Sequence, residues 1–237
     1  MHIQVYFTPA GLRTVAASAE DIYIVIDMIR ATTTLPVMFE RGAARVFVAG
    51  SVEQARAARE KHPERLLCGE RNVQPLPGFD YGNSPVQFSQ VDLARRELIL
   101  TTTNGTRAFY ACPEHSVRLA GSLYNARAVT SYAIRLARER GSDIALVCSG
   151  EFDYFALDDA VCAGYLAQQI IQIVSSSEAP AHGSLELDES VEAALALYEA
   201  YQPPKIMHHC DSARSVINGG LIDDVYFCMQ QSQSTSV

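Results

Sequence analysis

Near-continuous apolar runs recur along the chain: "IYIVID" at 22–27, then "ARVFVAG", "RLLCG", "ELILTT", "SVRLAG" and "DIALVCSG". A short apolar run bounded by turn residues predicts a strand buried on both faces. Between the runs, residues 31–41, 52–61, 106–112, 125–140 and 157–174 predict helices. The last two carry apolar residues at three- and four-residue spacing. Ser122 in "AGSLYNARA" is the expected N-cap of the helix that follows it. Strands and helices in alternation imply an α/β fold, a largely parallel or mixed sheet covered by helices. Residues 72–85, "NVQPLPGFDYGNSP", read as a long irregular loop whose aromatic residues and few charges argue against disorder. Helices and a strand are expected over 188–228, and the final "STSV" reads as a loose tail.

The pattern also repeats. "AGSVEQARA" and "AGSLYNARA" match at six of nine positions, 71 residues apart, each after a strand and opening a helix. Upstream of each lies a strand ending in a Thr-rich, Arg-containing loop, "IDMIRATTT" and "LTTTNGTRA". Coincidence between two Ala-rich helix starts is the plain explanation. Internal duplication is the sharper one, with halves of 22–90 and 96–175 inside a single 1–237 unit. Two copies would set two similar polar loops on the same edge of one sheet.

Composition narrows the class. The 237 residues are 48% hydrophobic, enough for a substantial core. A formal net charge of -8 argues against nucleic acid as a partner. No apolar run reaches about 18 residues, so no membrane span is expected. The N-terminus lacks the basic and apolar regions of a signal peptide. The six cysteines are scattered without a C-x-x-C, so a cytoplasmic protein with cysteines as small core residues is expected. A homodimer is the base-rate expectation.

Ligands of parallel α/β sheets gather at the carboxyl ends of strands, and four polar clusters fall there. They are Asp27, Arg30 and Thr32 to Thr34; Glu70 and Arg71 with Asp80, Asn83 and Ser84; Thr101 to Arg107; and Ser149 to Glu151 with Asp158 and Asp159. Asn104-Gly105 is a strong hairpin signal, yet no returning strand follows it. A strand that ends in three threonines and enters a helix leaves amide donors that suit a phosphate, or simply a capped helix start. Asp27 and Arg30 are either an ion pair fixing a loop, or a phosphate-binding arginine beside a Mg²⁺ ligand or nucleophile. Asp158 and Asp159 either complement a helix dipole or bind metal. Mg²⁺ suits these carboxylates better than zinc suits the poorly spaced histidines, among them the adjacent His208 and His209. Cys148 reads as packed, because Tyr154 stands where a C-x₅-R phosphatase loop has its arginine.

"IDMIRATTT", "GERNVQPLPGFDYGNSP", "LTTTNGTRA", "AGSLYNARAV" and "FALDDAVCAG", in this order, resemble the 2-phosphosulfolactate phosphatase (ComB) family, with a weaker echo in "GGLIDDVYFCMQ". The resemblance implies a distinct α/β topology and a Mg²⁺-dependent phosphatase of coenzyme M biosynthesis, which hydrolyses 2-phospho-3-sulfolactate to sulfolactate and phosphate. The family's motif residues fall on Asp27, Arg30, Thr32, Thr33, Glu70, Arg71, Asp80, Asn83, Ser84, Thr102, Thr103, Asn104, Gly105, Thr106, Arg107 and Asp159. The chain departs from the family's usual run at "DYFALDD", where Ala156 replaces a hydroxyl and Asp158 a longer acid. On these residues Asp27, Glu70 and Asp159 are expected to hold Mg²⁺, and Asp27, Arg30, Glu70 and Arg71 to be catalytic. Thr32, Thr33, Asn83, Ser84 and Thr102 to Arg107 are expected to bind substrate, with Arg71 or Arg107 on its carboxylate or sulfonate. An isomerase or lyase on a phosphorylated acid, or a non-enzymatic anion sensor, are the competing functions.

Overall fold

All six apolar runs form strands in the computed structural model, which describes residues 1–176 and 184–237. The first half runs β1 (His2–Tyr6), α1 (Pro9–Arg13), β2 (Ile22–Ile26), α2 (Ala31–Glu40), β3 (Arg45–Val48), α3 (Val52–Lys61), β4 (Leu66–Arg71), β5 (Gln74–Pro75) and α4 (Pro85–Phe88). The second continues with β6 (Glu97–Thr101), α5 (Gly105–Ala111), β7 (Val117–Gly121), α6 (Ala126–Arg140), β8 (Ile144–Cys148) and α7 (Leu157–Ser176). The rest is β9 (Glu186–Leu187), α8 (Glu189–Ala200), a 3₁₀ turn (Lys205–His208), α9 (Asp211–Asn218) and α10 (Ile222–Cys228). The helices expected over 188–228 are present, but among the described residues no strand lies within that range; the nearest is β9, just before it.

The strands form two sheets rather than one. The larger has the order β7-β2-β8-β1-β9 and every pairing in it is parallel. The smaller has the order β3-β6-β4-β5, parallel except for the β4–β5 hairpin. The two expected halves interleave: β2 of the first lies between β7 and β8 of the second, while β6 of the second lies between β3 and β4 of the first. The two Thr-rich loops therefore follow interior strands of different sheets, not neighbouring positions on one sheet edge. They still meet, because a Cβ on Gly105 would lie 2.5 Å from Asp27 Oδ2 and 2.9 Å from Ala31 Cβ.

Burial explains the apolar runs. Every residue of β2 and of β8 is buried. One face of the larger sheet packs Ile24, Ile26 and Leu146 on α6, α7 and α8, and the other packs Tyr23, Val25 and Val147 on α1 and α5. The smaller sheet is likewise covered on both faces, by α2 and α4 and by α3. Each fully buried Ile or Leu contributes about 1.5–3 kcal/mol relative to exposure. Helix α7 is buried along most of its length, and Gly164 lets the Ala194 carbonyl of α8 pack directly on its backbone. All six cysteines are buried.

Three local features differ from the sequence expectation. The β4–β5 hairpin turns on Asn72 (φ 51°) and Val73 (φ 73°), inside the segment read as irregular; valine carries no turn signal. Asn125, not Ser122, is the N-cap residue of α6, and its Oδ1 accepts from the Ser122 amide at 3.0 Å. The C-terminal tail is pinned, with the amides of Gln233 and Ser234 donating to Tyr124 O.

Candidate active site

Four loops converge on one cavity of about 390 Å³. They follow β2 and β6, cross the β4–β5 hairpin, and turn after β8. Asp27, Arg30, Glu70, Asn83, Thr103 and Glu151 line it, and α9 closes it with Ser212 and Ser215. The cavity thus gathers members of all four polar clusters, each at the carboxyl end of a strand or just beyond.

Asp27 and Glu70 are the buried acids of this cavity, 8% and 7% exposed. Asp27 Oδ1 accepts the Ala31 amide at 3.3 Å, and the Gly105 amide also donates to this carboxylate. Burial raises the Asp27 pKa to about 6, and the Glu70 charge adds to the rise; the two amides oppose it. Glu70 Oε1 accepts from the Thr103 amide at 2.8 Å and the Thr103 hydroxyl at 3.0 Å, and Oε2 from the Val73 amide at 3.0 Å. Thr102 and Thr106 bond each other, amide to hydroxyl in both directions at 3.2 Å. The stretch expected to cradle phosphate therefore spends its Thr103 and Gly105 donors on two carboxylates, fixing both side chains. Asn104 lines the cavity, and its Oδ1 accepts the Phe152 amide at 3.1 Å.

Arg30 is held on its far side. Its Nη1 donates to Asp224 Oδ2 at 2.8 Å and its Nη2 to the Val73 carbonyl at 2.8 Å, so two of its five N–H donors are engaged. The pair is buried, with side chains 3% and 1% exposed. Asp224 is completed by the Ser84 hydroxyl at 2.6 Å and the Val86 amide at 3.3 Å. A β-branched residue at positive φ, such as Val73, costs on the order of 1–3 kcal/mol. Here both its backbone groups serve the site, the amide on Glu70 and the carbonyl on Arg30.

Several expected residues stand elsewhere. Asp159 does not line the cavity. Its Oδ1 accepts the Met28 amide at 3.0 Å, and its Oδ2 the Ser149 hydroxyl at 2.9 Å and the Gly150 amide at 3.0 Å. It ties the loop after β2 to the loop after β8. Thr32 and Thr33 are wholly buried and brace the first loop through the Asp27 amide and the Met28 carbonyl. Ser84 caps α4 and supports Asp224. Arg71 lies outside the cavity lining, donating to the Glu70 carbonyl at 2.6 Å. Arg107 lines a neighbouring, smaller cavity. Asp80 pairs with Arg59 at 2.6 Å and accepts the Leu67 amide at 2.7 Å, a structural tie. Cys148 is fully buried, and burial pushes its thiol well above the ordinary range, as packing implies.

Other residues of the site had little signal. Asp224 lies 194 positions from its partner Arg30, and no spacing rule joins them. Ser212 reaches the cavity from α9 while donating to Asp158 Oδ1 at 3.0 Å. Asp158 is pushed up to about 7, chiefly by burial, and Asp159 also lies well above the ordinary carboxylate range, by burial and by the charges of Asp158 and Asp27. Behind the cavity wall, then, sit acids that favour the neutral form.

Oxygen donors dominate the cavity. Asn83 is 4% exposed, and its Oδ1 is buried without a hydrogen-bond partner. With Asp27, Glu70 and Glu151 this is a hard-oxygen set, which fits Mg²⁺, an ion that takes one or two carboxylates and completes its shell with water and phosphate oxygens. Among the described residues no group of three or more His, Cys, Asp or Glu side chains is placed to hold a metal ion, so an ion here would draw on fewer acids and complete its shell from Asn83, water and phosphate oxygens. Asp159 lies outside this set.

The family model for 2-phosphosulpholactate phosphatase matches residues 6–237. A Deinococcus radiodurans protein described as "probable 2-phosphosulfolactate phosphatase" is 34% identical over 216 residues, 90% of this chain and 85% of its own. Proteins of the same description from Thermus thermophilus and Carboxydothermus hydrogenoformans are 34% and 32% identical, covering 92% and 96% of this chain and 86% and 88% of theirs.

Proposed function

The chain belongs to the 2-phosphosulfolactate phosphatase family, and from that premise we propose that it is a Mg²⁺-dependent phosphoric monoester hydrolase. Its substrate is 2-phospho-3-sulfolactate or a related 2-phospho-acid, released as the hydroxy-acid and phosphate. A single feature carries the assignment: Asp27, a buried carboxylate just past the carboxyl end of β2 in the larger sheet, held by two amides and facing a cavity that Arg30 and Asn83 also line. Unlike a receptor, which would meet its anion with cations alone, this cavity sets three acids around one arginine.

Asp27, with Glu70 and Asn83, would hold Mg²⁺. The chemistry such an ion would supply is polarisation of the phosphoryl oxygens and a lowered pKa for an attacking water. The Arg30 donors not taken by Asp224 and Val73 meet the phosphoryl oxygens, where a planar guanidinium stabilises developing charge. Asp224 and the Val73 carbonyl hold that guanidinium in place before substrate arrives. The amides of Ala31 and Gly105 favour ionised Asp27 while burial raises its pKa to about 6, so Mg²⁺ binding that needs this carboxylate weakens as pH drops through about 6.

Phosphate release from a panel of 2-phospho-acids in the presence of Mg²⁺ tests the reaction class. Free phosphate should appear in step with substrate loss. Substrate lost without phosphate would identify an isomerase or lyase. Attack by water leaves the protein unlabelled, so label retained after acid quench of ³²P-substrate would instead make Asp27 the nucleophile.

A further inference from the structure

Beside the main cavity lies a second one, of about 240 Å³, and Asn104 lines both. The two differ in charge. The main cavity sets Asp27, Glu70 and Glu151 against Arg30, whose charge Asp224 already offsets. The side cavity sets two arginines, Arg13 and Arg107, against one acid, Asp153. That acid divides its oxygens between them: Oδ1 lies 3.1 Å from Arg13 Nη2 and Oδ2 lies 3.5 Å from Arg107 Nη2. The two guanidiniums thus converge on one anionic group.

Asp153 occupies the tip of a tight turn. Glu151 and Tyr154 exchange backbone hydrogen bonds at 2.8 and 2.9 Å, and the residues between them, Phe152 (φ 50°) and Asp153 (φ 67°), both adopt left-handed conformations without being glycine. Each such residue costs on the order of 1–3 kcal/mol and persists only where its surroundings enforce it. The turn is closed by its own pair of backbone hydrogen bonds, and Asn104 on the Phe152 amide and the two arginines on Asp153 bear on it from outside. The arginines are about half exposed, and ion pairs of that kind are worth about 0–1 kcal/mol. An incoming anion can therefore replace the Asp153 carboxylate at little cost.

We propose that Arg13 and Arg107 form the subsite for the terminal acidic group of the substrate, and that Asp153 holds this place in the free protein. The phosphoryl group sits in the main cavity and the remote sulfonate crosses Asn104 into the side cavity, displacing the Asp153 carboxylate. This assignment rests on the phosphatase reading for its substrate, but the subsite can be tested without turnover.

The test has two arms. In the first, kcat/KM is compared for 2-phospho-3-sulfolactate and 2-phospholactate, which lacks the sulfonate, in the wild type, Arg13→Leu and Asp153→Asn. Loss of one charge-assisted contact should cut the ratio of the two constants about tenfold or more in Arg13→Leu. Asp153→Asn, which removes the competing carboxylate, should lower KM for the sulfonated ester. An unchanged ratio in Arg13→Leu, or a raised KM in Asp153→Asn, overturns the subsite. In the second arm, calorimetry follows binding of 3-sulfolactate itself, which contains no phosphate ester. Binding by the wild type that weakens in Arg13→Leu and tightens in Asp153→Asn supports the subsite even if neither ester is hydrolysed; no binding, or equal binding by all three proteins, rejects it.

Discussion

Asp27 and Glu70 are each held by one nearby donor, Ala31 and Val73, and by one from the distant stretch after β6, Gly105 and Thr103. Arg30 is held in the same way by Asp224 and Val73. Removing Asp224 would strand a buried guanidinium. Asp224→Ala should therefore destabilise the protein by about 3–5 kcal/mol, as loss of one partner of a buried ion pair does. Urea denaturation measures this, and a loss below about 1 kcal/mol would show that Arg30 finds water instead. Most of the cavity's charged residues were legible in the sequence, because acids and arginines at strand ends are rare enough to notice. Their division of labour was not. Thr103 and Gly105 look the same in sequence whether their donors meet a ligand phosphate or a carboxylate of the same chain. Asp224, Ser212 and Arg13 lie too far along the chain for any spacing rule to bring them in.

Elements were legible where burial alone shapes them. The strands β2, β6 and β8 follow from apolar runs and the helices α6 and α7 from apolar spacing, since both faces of each sheet are covered. The short β1, with only Ile3 and Val5 buried, and the β4–β5 hairpin, with valine in its turn, give weak local signals. Two glycines show how closely elements approach. Gly164 is where α8 meets α7, and Gly164→Ala drives a methyl into the Ala194 carbonyl. It should cost about 1–3 kcal/mol in chemical denaturation, and a neutral result would mean that α8 can shift freely. Gly105 starts α5 against Asp27, and Gly105→Ala places a methyl 2.5 Å from Asp27 Oδ2. It should depress kcat by about tenfold or more through displacement of that carboxylate, with circular dichroism unchanged; full activity would show that the position of Asp27 is not critical.

At the scale of the whole molecule, the two halves of the chain exchange the interior strands β2 and β6, so residues from positions 27 to 218 meet at one cavity. The α/β class was legible from the alternation of elements, but the division into two sheets was not, because every strand run looks alike whichever sheet receives it. The interior also carries an acid load. Asp27 at about 6, Asp158 at about 7 and Asp159, well above the ordinary range, all bind protons more tightly when folded. An unfolded Asp loses its proton near pH 4, so from about pH 4 to 7 the folded chain holds more protons, and stability falls as pH rises. Without divalent cations, the melting temperature should be higher near about pH 5 than near about pH 8; the reverse trend would mean that these acids are stabilised as anions. The most direct test of the central claim is phosphate release from 2-phospho-3-sulfolactate with Mg²⁺, by the wild type and by Asp27→Asn. The wild type should release phosphate and lose that activity on chelation, while Asp27→Asn should be slower by at least about a thousandfold with an unchanged fold. Equal release by the two proteins would contradict the account.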